Sequence, residues 1–406
     1  MNKEEILELE MKGSFDFFWK EANTDENSPG YGLVRDGNGE KDEHRASIAS
    51  VGFGLSAIVV GVDKGWITKD EGHKRALGTL KTFWHNAEHL NGFYYHFLNL
   101  ETAEKFEAFY DCASIIDTAL LVNGAITVAE YFGGEVYEYM DKIYHRIDWT
   151  KYYDEERNLY YMGYTEEKGG FGQWDMYAEQ LMQYILGVAS PTHAVPAKIY
   201  KGFDRELRTY KDFEFYATRH NPLFVHQYSH AWYDFENVVD EDGINWFDNS
   251  VSASRAQKQY AIDHQDNYPS YGENTWGFTA CDGPNGYHAH GAPAYDIDNK
   301  PLKNDYGTIA PTAALGSIVF TPDDSLNVLE NFYNNIPELW SEYGFLDSFN
   351  AEDNDLWVAK RVIGIDKGAT LLMAANYQSG LIWKLYMQNK YVKNATEKLN
   401  WVKTSK

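Results

Sequence analysis

The chain has 406 residues, 44 % hydrophobic and 16 % aromatic, with 12 Trp and 31 Tyr. That apolar supply allows a sizeable core, in one large domain or a few small ones. A formal net charge of −25 argues against nucleic acid and anionic membrane surfaces, which clustered Lys and Arg would have to neutralise, so a neutral partner is expected.

Cys112 and Cys281 are the only cysteines, too few for a disulfide framework or a CxxC metal knuckle. The N-terminal stretch MNKEEILELEMKGSFDFF lacks the apolar core of a signal peptide. A cytoplasmic location is therefore expected, or an exported one if a leader has been removed. The run 46–62 comes closest to membrane-spanning length but is studded with Gly and Ser.

Helical periodicity is read over 3–22, 46–64, 69–87, 114–132, 135–147 and 174–188, then over 197–213, 249–266, 308–319, 322–336, 354–360 and 368–389. Thr68, Ser114 and Asn249 stand where N-caps belong, and Thr321 precedes a first-turn Pro322. Strand-like runs are short, near 92–98 and 159–164. Between the helices lie long loops rich in Gly, Asp, Asn and aromatics, at 23–45, 88–113, 148–173, 219–248, 267–307 and 340–367. Such loops, recurring after about every second helix, would gather at one end of a ring of helical hairpins. The expected architecture is an all-α (α/α)6 toroid or barrel, a single catalytic domain over 1–406, with a pocket at the loop end.

The segment QWDMYAEQLMQYIL (173–186) sets Glu179 among Trp174, Met176, Tyr177, Leu181 and Met182. Burial of a carboxyl among rings raises its pKa, which suits a general acid. A helix-borne Glu near aromatics also commonly pairs with Arg or caps a neighbouring helix. Asp111 and Asp117 in FYDCASIIDTALLVNG, Glu273 in YGENTWGFTACDGPNGY and Asp347 in YGFLDSFN also sit among aromatics and glycines rather than lysines. Glycoside hydrolysis needs one protonated and one ionised carboxyl. Glu179 fits the first by its surroundings and Asp347, on a Gly-flanked loop, the second. Asp117 serves equally well as a buried acid holding loop backbone, and Asp347 as the start of a turn.

His226 and His230 in HQYSH have zinc-compatible spacing, but no Glu completes an HExxH motif. Structural or sugar-contacting histidines are the preferred reading, and the His pair in YHAHGAP reads the same way. DEDGINWFDNS lacks the regular ligands of a calcium loop. No G-x-S-x-G elbow, P-loop or strand-following GxGxxG is present. Neither metal nor cofactor is expected.

Seven ordered segments carry a family resemblance: SIASVGFGLSAIVVGVDKGWIT, IIDTALLVNGA, QWDMYAEQLMQYILGVASPTH, YGENTWGFTACDGPNGY, DYGTIAPTAALGSIVFTPDDS, YGFLDSFN and GIDKGATLLMAANYQSGLIW. Together, from about residue 12 to 390, they resemble the glycoamylase-like domain group containing glycoside hydrolase family 144. The resemblance implies a single (α/α)6 barrel and endo- or exo-action on β-1,2-glucan or its sophoro-oligosaccharides, by an inverting mechanism in the hydrolases. Some members transglycosylate. It maps the family's acid onto Glu179, a second carboxyl onto Asp347 and a third onto Asp111, where many relatives carry Glu; the base is Asp347 or another acid. Trp174, Tyr177, Trp232, Tyr271 and Trp276 are expected along the cleft, with Arg45 and His230 as hydroxyl contacts and Asp117 and Glu273 as further substrate contacts. The expected partner is a neutral oligo- or polysaccharide. A transglycosylase using the same pocket and a non-catalytic glucan-binding protein are the competing readings. Oligomeric state is left open.

Overall fold

A computed structural model describes residues 1–107, 112–351 and 355–404. Asp111 lies outside the described residues. Thirteen α-helices are present among those described. In chain order they are α1 (Lys3–Lys20), α2 (Ile48–Asp63), α3 (Lys69–His85), α4 (Ile115–Phe132), α5 (Gly134–Arg146), α6 (Leu181–Val188) and α7 (Tyr228–Trp232). There follow α8 (Trp246–Asp263), α9 (Pro311–Leu315), α10 (Pro322–Asn335), α11 (Gly364–Ser379), α12 (Leu381–Gln388) and α13 (Lys390–Lys398).

Two kinds of helix alternate. α2, α4, α6, α9 and α11 are apolar nearly all round and buried, which suits the inside of a two-layer assembly. α3, α5 and α10 bury one stripe and turn charges outward. Inner neighbours run α2–α4–α6, then α6 to α7 through Ser229, whose Oγ donates to Glu179 O and accepts from Met182 N. Gln227 ties the start of α7 to α9 by donating to Ala313 O over 2.8 Å. α9 packs on α11, and α11 returns to α2. Outside them lie α1 against α2, α10 and α11, and α3 against α2 and α5. The chain is thus mostly helical and of (α/α)6 type.

The inner helices approach closely where side chains are missing. A Cβ on Gly124 of α4 would come within 2.0 Å of Gly52 O on α2. α12 packs on α4, α7 and α11: Trp383 Nε1 donates to His230 O over 2.6 Å, and Tyr386 Oη to Asn123 Oδ1 over 2.7 Å. α4, rather than the 46–62 run, is the helix long and apolar enough for a bilayer, but 78 % of that stretch is buried against its neighbours.

The long loops carry short antiparallel ribbons. Two of them matter for the site: Ala280–Gly283 paired with Gly286–Ala289, and Phe349–Asn350 set between Thr308–Ile309 and Trp357–Val358.

Several boundaries differ from the periodicity. The expected helix 174–188 begins at Leu181, because Gln180 clips the preceding turn: its Oε1 accepts from Ala178 N and its Nε2 donates to Met176 O. The expected helix 197–213 is a 3-10 turn, Ala197–Lys201, followed by a hairpin of Leu207–Tyr210 with Phe213–Tyr216 that turns at Lys211, φ 54°. α8 is capped by Asn245, not Asn249; Asn249 instead brackets the main chain of Tyr216. Trp357–Val358 is strand rather than helix. The expected helix 368–389 is divided at Gly380, whose left-handed φ of 65° ends α11. α7 and α13 were not anticipated.

Candidate active site

Inner helices that run the same way around a ring present their N-termini at one end. Asp117 in the first turn of α4 lies close enough to Glu179, which precedes α6, to raise its pKa. Tyr228, the first residue of α7, feels the charges of Asp366, Glu179 and Asp117. Asp366 stands in the first turn of α11, and its carbonyl accepts from Thr312 Oγ1 of α9 over 2.9 Å. The acids therefore meet at the mouth formed by these N-termini.

Glu179 sits in the turn leading into α6, half-buried. It borders a cavity of about 320 Å³ with Trp174, Met162, His220, Phe224 and Ala289 among its walls. Burial raises its carboxyl to about 7, Asp117 adding a smaller upward push against the Glu179 main-chain N–H. Near neutrality an appreciable fraction is protonated, as a proton donor requires.

Asp347 lies in the turn between the strands Gly344–Phe345 and Phe349–Asn350. Its main-chain N–H donates to Arg361 O over 3.1 Å, and its Oδ2 accepts from Asp282 N over 2.6 Å. Its other oxygen meets the carboxyl of Asp366. Asp347 Oδ1 and Asp366 Oδ2 are both buried without a hydrogen-bond partner among the described residues. Burial raises both, Asp347 to about 6 and Asp366 well above the usual carboxylate range, the charge of Asp347 adding to the second. The site thus contains Glu179, shifted towards the protonated form by burial, and the buried pair Asp347 and Asp366, both shifted the same way.

Beneath the dyad runs an ion network. Arg361 forks onto Asp282 through Nε at 2.7 Å and Nη2 at 3.0 Å, and its Nη1 reaches Asp42 at 2.8 Å. Arg45 bonds Asp36 at 2.9 Å and Asp42 at 2.5 Å. The 280–289 ribbon joins the two halves: Asp282 holds Asp347, and Ala289 lines the Glu179 cavity. On the same ribbon Tyr287 is 51 % exposed, yet its hydroxyl feels both Asp347 and Asp366.

The structure sets Trp174 with Glu179 on one cavity and Asp117 within electrostatic reach of Glu179, while Asp347 stands against Asp366 at the start of α11. Asp117 also has the structural role: its carboxylate accepts from Ser114 Oγ and lies 3.6 Å from His96 Nε2. Other expected contacts are elsewhere. Tyr177 is core, stacked on Trp246 at 4.5 Å. Trp232 is fully buried with Nε1 on Ser56 Oγ. His230 is buried, meets Trp246 O at 3.1 Å, and is pushed down to about 3 by burial. His226 is buried on Asn221. Trp276 is wholly buried, and Tyr271 spends its hydroxyl on Asp305 and Gly307 N. Glu273 is exposed at the Gly272–Thr275 turn. Arg45 is committed to two carboxylates rather than to a ligand hydroxyl. Rings at helical spacing fill cores as readily as they line clefts, and here the core claimed them.

Asp366, Asp282, Arg361 and Tyr287 were missed. Asp366 had a readable signal: GIDKGATLL places an acid in the first turn of an apolar helix, as SIIDTALL does for Asp117.

Fold and site define a helical ring of (α/α)6 type with a carboxyl-lined mouth. The chain belongs to the glycoamylase family, whose model, described as "Putative glucoamylase", matches residues 172–390. It is 28 % identical to an exo-β-1,2-glucooligosaccharide sophorohydrolase (non-reducing end) of Parabacteroides distasonis, over 99 % of this chain and 59 % of that protein. The chain therefore spans somewhat over half the length of that relative. Among solved structures it is similar to an endo-β-1,2-glucanase from Chitinophaga pinensis in complex with sophorotriose and glucose (27 % identity, TM-score 0.88, 99 % of each chain). A Bacteroides fragilis protein described in the family's own words is 30 % identical with TM-score 0.89, covering 100 % of this chain and 98 % of that one.

Proposed function

We propose that the chain is a glycoside hydrolase acting on β-1,2-linked glucan or its oligosaccharides, by inversion. The carrying observation is a pair of buried carboxyl sites beside the N-termini of inner helices: Glu179, raised to about 7 on an aromatic-walled cavity, and Asp347, raised to about 6 beside Asp366. The names of the sophorohydrolase and glucanase relatives support the linkage.

In this reading Glu179 donates its proton to the glycosidic oxygen as the bond from that oxygen to the anomeric carbon breaks. Asp347 takes a proton from a water, whose oxygen bonds to the anomeric carbon from the opposite face. Asp366 is a positioning residue: its proton orients Asp347 and disperses the charge. Trp174 offers a ring to the sugar's apolar face.

Incubation with linear β-1,2-glucan, followed by thin-layer chromatography, tests the reading. Shorter products are expected, with polarimetry showing the inverted anomer first. Products of redistributed length would make the protein a transglycosylase, and unchanged glucan would refute the proposal.

A further inference from the structure

A larger cavity, of about 770 Å³, lies outside the mouth. Its walls come from the hairpin Leu207–Tyr210 with Phe213–Tyr216, the end of α8, and the ribbon Ala294–Tyr295 with Pro301–Leu302. Tyr210, Tyr260, Tyr268 and Tyr295 supply rings, and Leu302, 41 % exposed, adds an apolar edge. Three of the rings are fixed through their hydroxyls. Tyr210 donates to Asp263 Oδ2 over 2.8 Å, Tyr260 to Asp305 Oδ1 over 3.0 Å, and Tyr295 to Thr209 O over 2.8 Å. Rings held in place before a ligand arrives lose little entropy on binding it. Lys211 at the edge is paired with Asp263 at 3.4 Å, so the groove is not built around a free charge there.

Further side chains lead from this groove toward the 280–289 ribbon. Tyr287, 51 % exposed on that ribbon, lies within electrostatic reach of Asp347 and Asp366. Next to it on the same strand, His288 packs edge-on to Tyr306 at 5.4 Å. Tyr306 is 48 % exposed. Lys303 then lies 5.8 Å from the Tyr306 ring centre and 5.1 Å from that of Tyr268, which lines the groove. Exposed rings in such an array mark a binding surface, and the volume is within the roughly 300–1,000 Å³ usual for ligand sites.

We infer that this groove is a distal binding site for a neutral glucan chain, engaging sugar units far from the linkage being cut. The inference rests on the proposed hydrolase reading for its ligand. Rings present flat faces to the C–H faces of pyranoses, while Asn267 and His264 at the wall can meet hydroxyls. A chain long enough to run along Tyr287, Tyr306 and Tyr268 occupies both sites, whereas a short oligosaccharide fills only the mouth.

The test is affinity electrophoresis in gels containing linear β-1,2-glucan, with Glu179→Gln as the non-digesting parent. Tyr268→Ala and, as a surface change that spares the packing, Leu302→Asp are added to it separately. Each is expected to weaken retardation about tenfold, equivalent to about 1.4 kcal/mol, while Ile297→Ser, at an exposed position outside the groove, changes nothing. In the otherwise native enzyme the same two changes should lower kcat/KM on long glucan and leave it unaltered on a short sophoro-oligosaccharide. A parent that is not retarded, retardation that survives both changes, or equal losses on long and short substrates would overturn the inference. Native enzyme that cuts no β-1,2-glucan while groove variants still lose retardation would refute the hydrolase reading and leave the groove assignment standing.

Discussion

The main-chain N–H of Asp282 holds Asp347 Oδ2 at 2.6 Å while Arg361 forks onto the carboxylate of that same Asp282. One guanidinium therefore fixes the residue that orients the candidate base. Arg361 also neutralises Asp42, which has no exposed surface. Arg361→Met should leave Asp282 without its guanidinium and the buried Asp42 with Arg45 alone. Breaking a buried pair from one side costs about 3–5 kcal/mol, so denaturant unfolding should show a loss of that order together with sharply reduced activity. A variant of native stability would show that the network contributes little.

In the proposed mechanism Asp366 is the hydrogen-bond donor to Asp347, the two being buried together and electrostatically coupled. Asp366→Asn keeps a donor at that place and removes the competing acid, whereas Asp366→Ala removes the donor and leaves only the Asp282 N–H and Arg361 to offset the burial of Asp347. The Asn variant should therefore retain far more activity than the Ala variant. In the Ala variant the acidic limb of the pH–rate profile should move to higher pH. Equal activities, or an unmoved limb, would argue against a positioning role.

The profile itself is constrained. Asp347 must be ionised and is raised to about 6, and Glu179 must be protonated and is raised to about 7. kcat/KM should trace a narrow bell with its maximum between those values. A plateau extending to pH 9 would remove Glu179 from the acid role.

Glu179 also links stability to pH. Its folded pKa lies above the unfolded value, so the unfolded chain ionises first as pH rises from about 4.5 to 7. The native state then binds more protons than the unfolded one, and stability falls across that window. Glu179→Gln removes this loss, so the variant's melting temperature relative to native protein should climb from pH 4 to pH 8. Its hydrolytic rate should drop by about 10²–10⁴.

Two tryptophans expected in one cleft should behave oppositely. Trp232 is fully buried between α7 and α2, and Trp232→Ala should cost about 3–5 kcal/mol of stability. Trp174 walls the Glu179 cavity, and Trp174→Ala should raise KM with a smaller stability change. Thermal melts and kinetics on the same preparations distinguish the two effects.

Much of the fold was legible in the chain. Helices apolar on every side, such as α2 and α4, can only be inner helices, and helices with a single apolar stripe, such as α3 and α5, can only be outer ones, because each must bury its own surface. Glu179 stood out for the same reason: a lone acid among rings has few environments open to it. What the chain could not disclose was which rings those would be. Tyr177 and Trp232 share local patterns with Trp174, and only the closing of α6 and α7 against α2 and α8 put the first two inside and left the third at the cavity. The pairing of Asp347 with Asp366, and the arginine network beneath them, likewise depend on contacts between loops and helices far apart in sequence. Local pattern dictates how much surface each segment must hide; the tertiary arrangement alone decides which neighbours hide it, and so which carboxyls are buried together.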